Sequence, residues 1–387
     1  GNNMEAYLDN SATTRCSDDA ANKVLEALTV NYGNPSSLHK MGMKAEEYLD
    51  ESRKAIAKSL GVKDKEIIFT SGGSESNNLA IMGTVNARKR RGNHIITTSV
   101  EHASVFNPMR ELEEEGYEIT YLDTDENGLI DLKQLRSAIQ PDTILVSMMH
   151  VNNEIGAVEP IEEAGRVIKN VNPECVFHVD AIQSYGKFRI RPHDTNIDLL
   201  SVSGHKINGP KGSGFLYVRD GLRLIPIIFG GGQEKGIRSG TQNVPAIAGL
   251  GVAAKEADKN LDKNREMLFK LKAAFIDKIA DLDGITINGS TGEKSAPHIV
   301  SVTISGVRAE VLLHSLEEKN IFVSSGSACS SNKPQVSRTL QAIKVSHDAL
   351  DSTVRFSFGI YNTMEEIDYA ADSLREILPA LRKYTRK

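Results

Sequence analysis

Residues 67–78 read IIFTSGGSESNN, an apolar β-branched run followed by a glycine turn and the beginning of a helical pattern near Leu79. Strand, turn and helix in this order form the unit from which parallel sheets are built. Glycines let the backbone approach a ligand closely, and free N–H groups at a helix start attract anions. A plain capped turn has the same pattern, and the spacing matches neither the dinucleotide fingerprint nor the P-loop. The stretch therefore predicts an α/β fold and leaves the anion site open.

The same alternation of strand and helix patterns extends on both sides of this stretch, from about residue 44 to 219. In the first helical pattern, Ala45, Leu49, Ile56 and Leu60 fall on one face, and Gly61 is placed to end it. Helical patterns separate most of the strands, so we expect a mostly parallel mixed sheet flanked by helices. The predicted strands are 67–70, 94–99, 118–123, 143–151, 176–181, 197–203 and 214–218.

The pattern changes after the glycine-rich residues 230–232. Residues 244–280 predict a long helical segment that bridges two domains, and the remainder of the chain predicts a smaller α+β domain. We expect a large domain at residues 13–257 and a small domain formed by residues 1–12 and 258–387. The small domain would carry a mobile loop at about 324–336.

The composition is that of an ordinary globular protein and gives no electrostatic reason to bind nucleic acid or an anionic membrane. The 387 residues are 40% hydrophobic and 25% charged, with a net charge of −5. The basic run at 88–91 closes an amphipathic stretch, which is typical of cations at a helix C-terminus.

No apolar run approaches the ~18 residues of a membrane span, and no leader pattern opens the sequence. With three scattered cysteines in addition, we expect a cytoplasmic protein.

Polar residues follow several of the predicted strands. Residues 201–206 read SVSGHK, in which Lys206 follows a buried strand. Lys206 could lose its proton and form a Schiff base, or it could be a surface lysine in a turn. In VFHVDAIQ, residues 176–183, Asp180 could hold a protonated pyridine nitrogen or could cap a helix. Residues 101–104 and 150–154 also follow strands. Because ligands of open α/β sheets collect at the carboxyl ends of strands, these segments predict one site.

The cysteines differ in their surroundings. Residues 323–334 read VSSGSACSSNKP, and the small polar neighbours of Cys329 indicate either a reactive thiol or an incidental surface thiol. Cys175 directly precedes an apolar strand, so we expect it in the core.

In this order, the four segments resemble the cysteine desulfurases of the NifS and IscS type. These are pyridoxal phosphate enzymes of the type I aminotransferase fold, in aminotransferase class V. The resemblance spans nearly the whole chain. Its motifs lie at residues 7–14, 33–37, 150–156, 203–206, 238–241 and 355–357.

The resemblance implies a role for each matching residue, with pyridoxal phosphate as cofactor and no metal. Lys206 would be the Schiff-base lysine, Asp180 the partner of the pyridine nitrogen, His102 the ring that stacks on the cofactor, and Cys329 the nucleophile. The chain would form a homodimer, because one phosphate contact comes from the neighbouring subunit. The other implied contacts are Asn153 and Gln183 with the phenolic oxygen, Gly73, Ser74, Ser203, His205 and the neighbouring subunit's Thr241 with the phosphate, and Asn34 and Arg355 with the substrate carboxylate.

The resemblance also implies an activity. L-cysteine would yield L-alanine and a persulfide on Cys329, and the sulfur would pass to an acceptor protein, such as an iron–sulfur scaffold or a tRNA thiolation enzyme. The nearest alternative is another pyridoxal phosphate enzyme of this fold, a selenocysteine lyase or an aminotransferase. An aminotransferase needs no thiol on a mobile loop, and comparing the two substrates would identify a selenocysteine lyase. A catalytically idle scaffold for sulfur-transfer partners is a third possibility, which the intact Lys206, Asp180 and Arg355 disfavour.

Overall fold

The computed structural model describes residues 4–325 and 336–385. Within these residues, no helix is both long and apolar enough to cross a membrane. The strands are β1 (Ala6–Tyr7), β2 (Ile67–Thr70), β3 (His94–Thr98), β4 (Glu118–Leu122), β5 (Thr143–Met149), β6 (Val176–Asp180), β7 (Leu199–Ser203), β8 (Gly214–Val218), β9 (Ile285–Asn288), β10 (Ile299–Ile304), β11 (Ile321–Phe322), β12 (Ser324–Ser325) and β13 (Thr353–Ser357). The α-helices are α1 (Asp18–Thr29), α2 (Lys40–Leu60), α3 (Gly73–Ala87), α4 (Ala103–Glu114), α5 (Leu132–Ala138), α6 (Ile161–Val171), α7 (Val244–Lys259), α8 (Leu261–Ile279), α9 (Ala309–Glu317), α10 (Arg338–Ala342), α11 (His347–Leu350) and α12 (Met364–Thr385).

The main sheet has seven strands in the order β2-β8-β7-β6-β5-β3-β4. Strand β8 runs antiparallel to both of its neighbours, and the other neighbouring pairs are parallel. The predicted mostly parallel mixed sheet is therefore confirmed. Because β8 alone is reversed, the carboxyl ends of β2, β3, β5, β6 and β7 lie at the same edge, and the loops that follow them meet there.

Helix α2 forms as its pattern predicts, since Ala45, Leu49, Ile56 and Leu60 are buried. It ends at Gly61, which adopts the left-handed conformation with φ of 66°. Cys175 is buried, also as predicted.

Two helix predictions are wrong in their boundaries. Helix α3 begins at Gly73 and not near Leu79, because its polar first turns find tertiary partners: Ser76 Oγ, for example, donates to the carbonyl oxygen of Phe215 at 3.0 Å. The predicted single segment 244–280 is two helices separated at Asn260. There the Asn260 side chain donates to the carbonyl oxygen of Glu256 at 3.0 Å, the kind of local bond that favours a helix end.

A second, antiparallel sheet has the order β12-β13-β10-β9, and α8, α9 and α12 pack around it. Its apolar core is a separate cluster that takes residues from the N-terminus, such as Leu8, and from 268–378. Strand β1 pairs in parallel with β11, which attaches the N-terminus to this part of the chain. These contacts support our proposal of a small domain formed from residues 1–12 and 258–387.

Candidate active site

A cavity of about 340 Å³ lies at the edge of the main sheet where the parallel strands end. Each of the loops after β2, β3, β5, β6 and β7 contributes side chains to it. The predicted site residues that line it are Gly73, Ser74, His102, Asn153, Asp180, Gln183, Ser203, His205, Lys206 and Arg355. The chain thus brings together ten of its thirteen predicted site residues in one cavity.

The other three predicted residues lie elsewhere. Asn34 is exposed outside the cavity, where its Oδ1 accepts a hydrogen bond from the Ser36 N–H at 2.9 Å. Thr241 is exposed on a segment joined to the start of α3 by a bidentate ion pair between Arg238 and Glu75, at 3.0 and 3.1 Å. Cys329 lies outside the described residues.

Lys206 follows β7 and reaches into the cavity from a tight turn. Its Nζ donates to the carbonyl oxygen of Ser11, a neutral acceptor. Desolvation lowers the pKa of Lys206 to about 7, helped by the positive charges of Arg355 and Lys187 and opposed by Asp9. At neutral pH a large fraction of this lysine is therefore the uncharged amine, which can act as a nucleophile or a base.

Asp180 ends β6 and is buried. Its Oδ1 accepts from the Ile182 N–H at 3.0 Å, and its Oδ2 accepts from Asn77 Nδ2 at 3.1 Å. Burial raises the pKa of Asp180, while these hydrogen bonds and the nearby His102 favour the carboxylate. A cationic group bound beside Asp180 would hold it ionised.

His102 caps the N-terminus of α4 and lines the cavity. Its Nδ1 accepts from the Ser104 N–H at 3.1 Å, so the neutral ring carries its proton on Nε2. Desolvation lowers the pKa of His102. Asn77 Nδ2 donates to Ser104 Oγ at 2.9 Å as well as to Asp180, and this network orients the ring relative to the carboxylate.

The start of α3 forms part of the cavity wall, since Gly73 and Ser74 line it. A Cβ added to Gly73 would lie 2.4 Å from Ile182 Cδ1, so only glycine fits here without displacing Ile182. The N–H groups of a helix's first turn have no partner within the helix. Together with the hydroxyls of Ser74 and Ser203, which also line the cavity, they make this wall suited to a phosphate.

Gln183 is held at both ends of its amide. Its Nε2 donates to the carbonyl oxygen of Ser11 at 2.9 Å, and its Oε1 lies 3.0 Å from His298 Nε2. Oε1 can only accept, so His298 donates from Nε2.

Burial lowers the pKa of His298 well below its ordinary value, so the ring is neutral and Nδ1 carries a lone pair. Within the described residues Nδ1 has no protein partner, and His298 lines a second cavity of about 120 Å³ with Lys187.

Sequence reasoning missed four residues of this site. Ser11, Asn77 and Ser104 lie within polar segments that the sequence analysis already identified. Their position in those segments was the available signal. His298 had none, because it lies on a loop before β10 and meets Gln183 only through the fold.

The sequence pattern described as aminotransferase class-V matches residues 6–370. The chain belongs to the class-V aminotransferase family. Among curated members of this family, it is 43% identical to a putative cysteine desulfurase of Bacillus subtilis, over 97% of this chain and 99% of that protein. It is 41% identical to the cysteine desulfurase IscS of Dictyoglomus turgidum, over 98% of this chain and 95% of the other.

Two solved structures are also similar to this one over nearly their whole length. A NifS-like protein superposes with a TM-score of 0.92 at 36% identity, covering 98% of this chain and 100% of that one. SspA, solved in complex with cysteine, superposes with a TM-score of 0.81 at 38% identity, covering 92% and 100%. The fold expected from the resemblance is thus confirmed.

Proposed function

We propose that this member of the class-V aminotransferase family is a cysteine desulfurase that converts L-cysteine to L-alanine and carries the sulfur as a persulfide on Cys329. The observation that carries the proposal is the convergence of Lys206, Asp180 and Arg355 on one cavity, in a chain at least 40% identical to proteins named cysteine desulfurases. SspA, which was solved with cysteine, supports the choice of substrate. These relatives do not favour the selenocysteine lyase alternative.

The residues present fit pyridoxal phosphate. The close approach at Gly73 and the open N–H groups of α3 suit its phosphate, the buried Asp180 suits its ring nitrogen, and the partly desolvated amine of Lys206 suits its aldehyde. His102 would lie against the ring, and Asn153 and Gln183 would address its phenolic oxygen. When bound, pyridoxal phosphate supplies an electron sink for negative charge at the substrate Cα.

The chain's own groups would bind the substrate and move its protons. Arg355 would hold the α-carboxylate of L-cysteine through its guanidinium fork, and we propose that Asn34 assists. Lys206 Nζ would remove the Cα proton, for which the neutral amine is required. Its pKa of about 7 provides that form at neutral pH.

Sulfur transfer would then use Cys329. Its thiolate attacks the sulfur of L-cysteine, the new S–S bond forms, and the bond between Cβ and sulfur breaks. The electron pair of the broken bond stays with Cβ, which takes up a proton and becomes the methyl group of L-alanine, and Lys206 would return a proton to Cα. The enzyme retains one extra sulfur atom as the persulfide.

Partners and location extend the proposal. We propose a homodimer in which the partner subunit's Thr241 contacts the phosphate. Large apolar side chains exposed in this chain support an interface, including Leu28 on α1, Leu38 at 97% exposure and Phe229 at 77%. We further propose that the persulfide serves an acceptor protein for iron–sulfur cluster assembly or tRNA thiolation, in the cytoplasm.

A product assay tests the activity. Purified protein with pyridoxal phosphate and a reductant is given L-cysteine, and L-alanine and sulfide are measured beside Cys329→Ala. We expect equal amounts of the two products from the unaltered protein and neither from the variant. A protein that binds the cofactor but makes neither product would contradict the proposal, and the same assay with L-selenocysteine would then test the alternative.

A further inference from the structure

Asp9 lies next to the candidate active site without lining its cavity. It follows β1 and forms an isolated parallel bridge with Ser357, the last residue of β13. The Ser357 N–H donates to the carbonyl oxygen of Leu8 at 2.7 Å, and the Asn10 N–H donates to that of Ser357 at 3.2 Å. These backbone bonds hold Asp9 beside β13, the strand that carries Arg355.

One oxygen of the Asp9 carboxylate serves two donors. Oδ1 accepts from Ser324 Oγ at 2.5 Å and from Arg355 Nη2 at 3.3 Å. Ser324 and Arg355 are directly opposite each other in the pairing of β12 with β13. The side chains of the ion pair are 12% exposed for Arg355 and 22% for Asp9, so water competes only partly for these bonds.

Among residues 4–325 and 336–385, Asp9 provides one of two hydrogen-bond contacts that orient the guanidinium of Arg355. The other terminal nitrogen, Nη1, donates to the carbonyl oxygen of Asn153 at 2.9 Å. Different segments hold the two terminal nitrogens. The Arg355 guanidinium, which lines the cavity, therefore loses little conformational freedom when it binds a carboxylate.

Ser324 connects this arrangement to sulfur transfer. It is five residues before Cys329 in the sequence. Its hydrogen bond to Asp9 therefore anchors the chain shortly before the thiol, at the same oxygen that orients Arg355.

We propose that Asp9 is a positioning residue for two steps: it orients Arg355 for the substrate carboxylate, and it anchors Ser324 for the attack by Cys329. The inference rests on the proposed function. The opposite role is a carboxylate that merely competes with the substrate for Arg355. The two roles differ in sign, because removing a competitor strengthens substrate binding and removing a positioning residue weakens it.

The experiment compares holoenzymes of Asp9→Ala, Asp9→Asn and Ser324→Ala with the unaltered protein. Glu5→Ala is the matched control, because Glu5 is an exposed carboxylate on the same N-terminal segment. L-alanine is the equilibrium probe, followed by the absorbance of the bound cofactor, since it has the carboxylate and lacks sulfur. Persulfide formation in a single turnover with saturating L-cysteine reports the second step.

We expect Asp9→Ala to weaken L-alanine binding about 10- to 100-fold, the effect of losing a hydrogen bond between charged groups. Ser324→Ala and Glu5→Ala should bind L-alanine like the unaltered protein. Persulfide formation should slow in Asp9→Ala and Ser324→Ala and stay unchanged in Glu5→Ala. Asp9→Asn keeps an acceptor oxygen and should fall between Asp9→Ala and the unaltered protein.

Equal or tighter L-alanine binding by Asp9→Ala would overturn the first role, and an unchanged persulfide rate in Ser324→Ala would overturn the second. If Asp9→Ala does not retain cofactor, Asp9→Asn decides: weaker L-alanine binding supports the first role, and equal or tighter binding overturns it. Failure of the proposed function looks different, because the unaltered protein would then form no persulfide at all.

Discussion

Lys206 combines a partly desolvated amine with a neutral hydrogen-bond partner, and its pKa is lowered to about 7. The neutral amine, which reacts with an aldehyde, therefore predominates above about pH 7. We predict that the rate at which cofactor-free protein takes up pyridoxal phosphate rises with pH and reaches half of its maximum near pH 7, as followed by absorbance. Lys206→Arg should show no such uptake. A midpoint above about pH 9, close to the value of an ordinary lysine, would contradict the effect of burial.

His298 orients Gln183 by donating to its Oε1, which turns the amide nitrogen toward Ser11 and the cavity. His298→Leu removes this donor and leaves a buried oxygen without a partner. We predict that kcat/KM for L-alanine formation falls about tenfold, from the cost of one unsatisfied buried group.

His298→Gln is the matched control, because its side-chain amide can donate from a similar position. It should recover most of the activity and the cofactor absorbance of the unaltered protein. If the leucine and glutamine variants behave alike, His298 acts through packing and not through its proton.

At the scale of elements, the start of α3 depends on Gly73. In Gly73→Ala the new methyl group would meet Ile182 Cδ1, so the Ile182 side chain, which also lines the cavity, would have to move. We predict that cofactor affinity, measured by titration of cofactor-free protein, falls about tenfold from overpacking. Gly73→Ala combined with Ile182→Val removes the clashing methyl group and should restore affinity. No recovery in the double variant would assign the loss to the helix backbone instead.

Some of the secondary-structure elements could be predicted from the sequence, and others could not. Strands with β-branched runs, such as β2 and β6, were predicted within about a residue, because burial on both faces leaves a short apolar run. The start of α3 and the break at Asn260 depend on side-chain hydrogen bonds that a single sequence does not display. Helix α1 was not predicted. The site residues that follow strands of the main sheet were found because the sequence displays the strand before them, whereas His298 meets Gln183 only through the fold.

At the scale of the whole molecule, the proposed dimer would build each site from two chains. Mixing Lys206→Ala with Thr241→Arg tests this, because one site of each mixed dimer would then contain both intact residues. We predict that the two inactive parents regain about a quarter of the original activity after subunit exchange, the share expected for random pairing in a symmetric dimer. If Thr241 acted within its own chain, or outside the site altogether, mixing would restore nothing beyond the parents' own activity.

The proposed activity depends most on the transfer of sulfur to one thiol, which mass spectrometry measures directly. Holoenzyme is given one equivalent of L-cysteine without reductant, digested, and the peptide that contains Cys329 is weighed. We predict that this peptide gains the mass of one sulfur atom, with a matching amount of L-alanine in solution, and that peptides with Cys16 or Cys175 do not. L-alanine formed with no added sulfur on Cys329, or formed equally well by Cys329→Ala, would contradict the account.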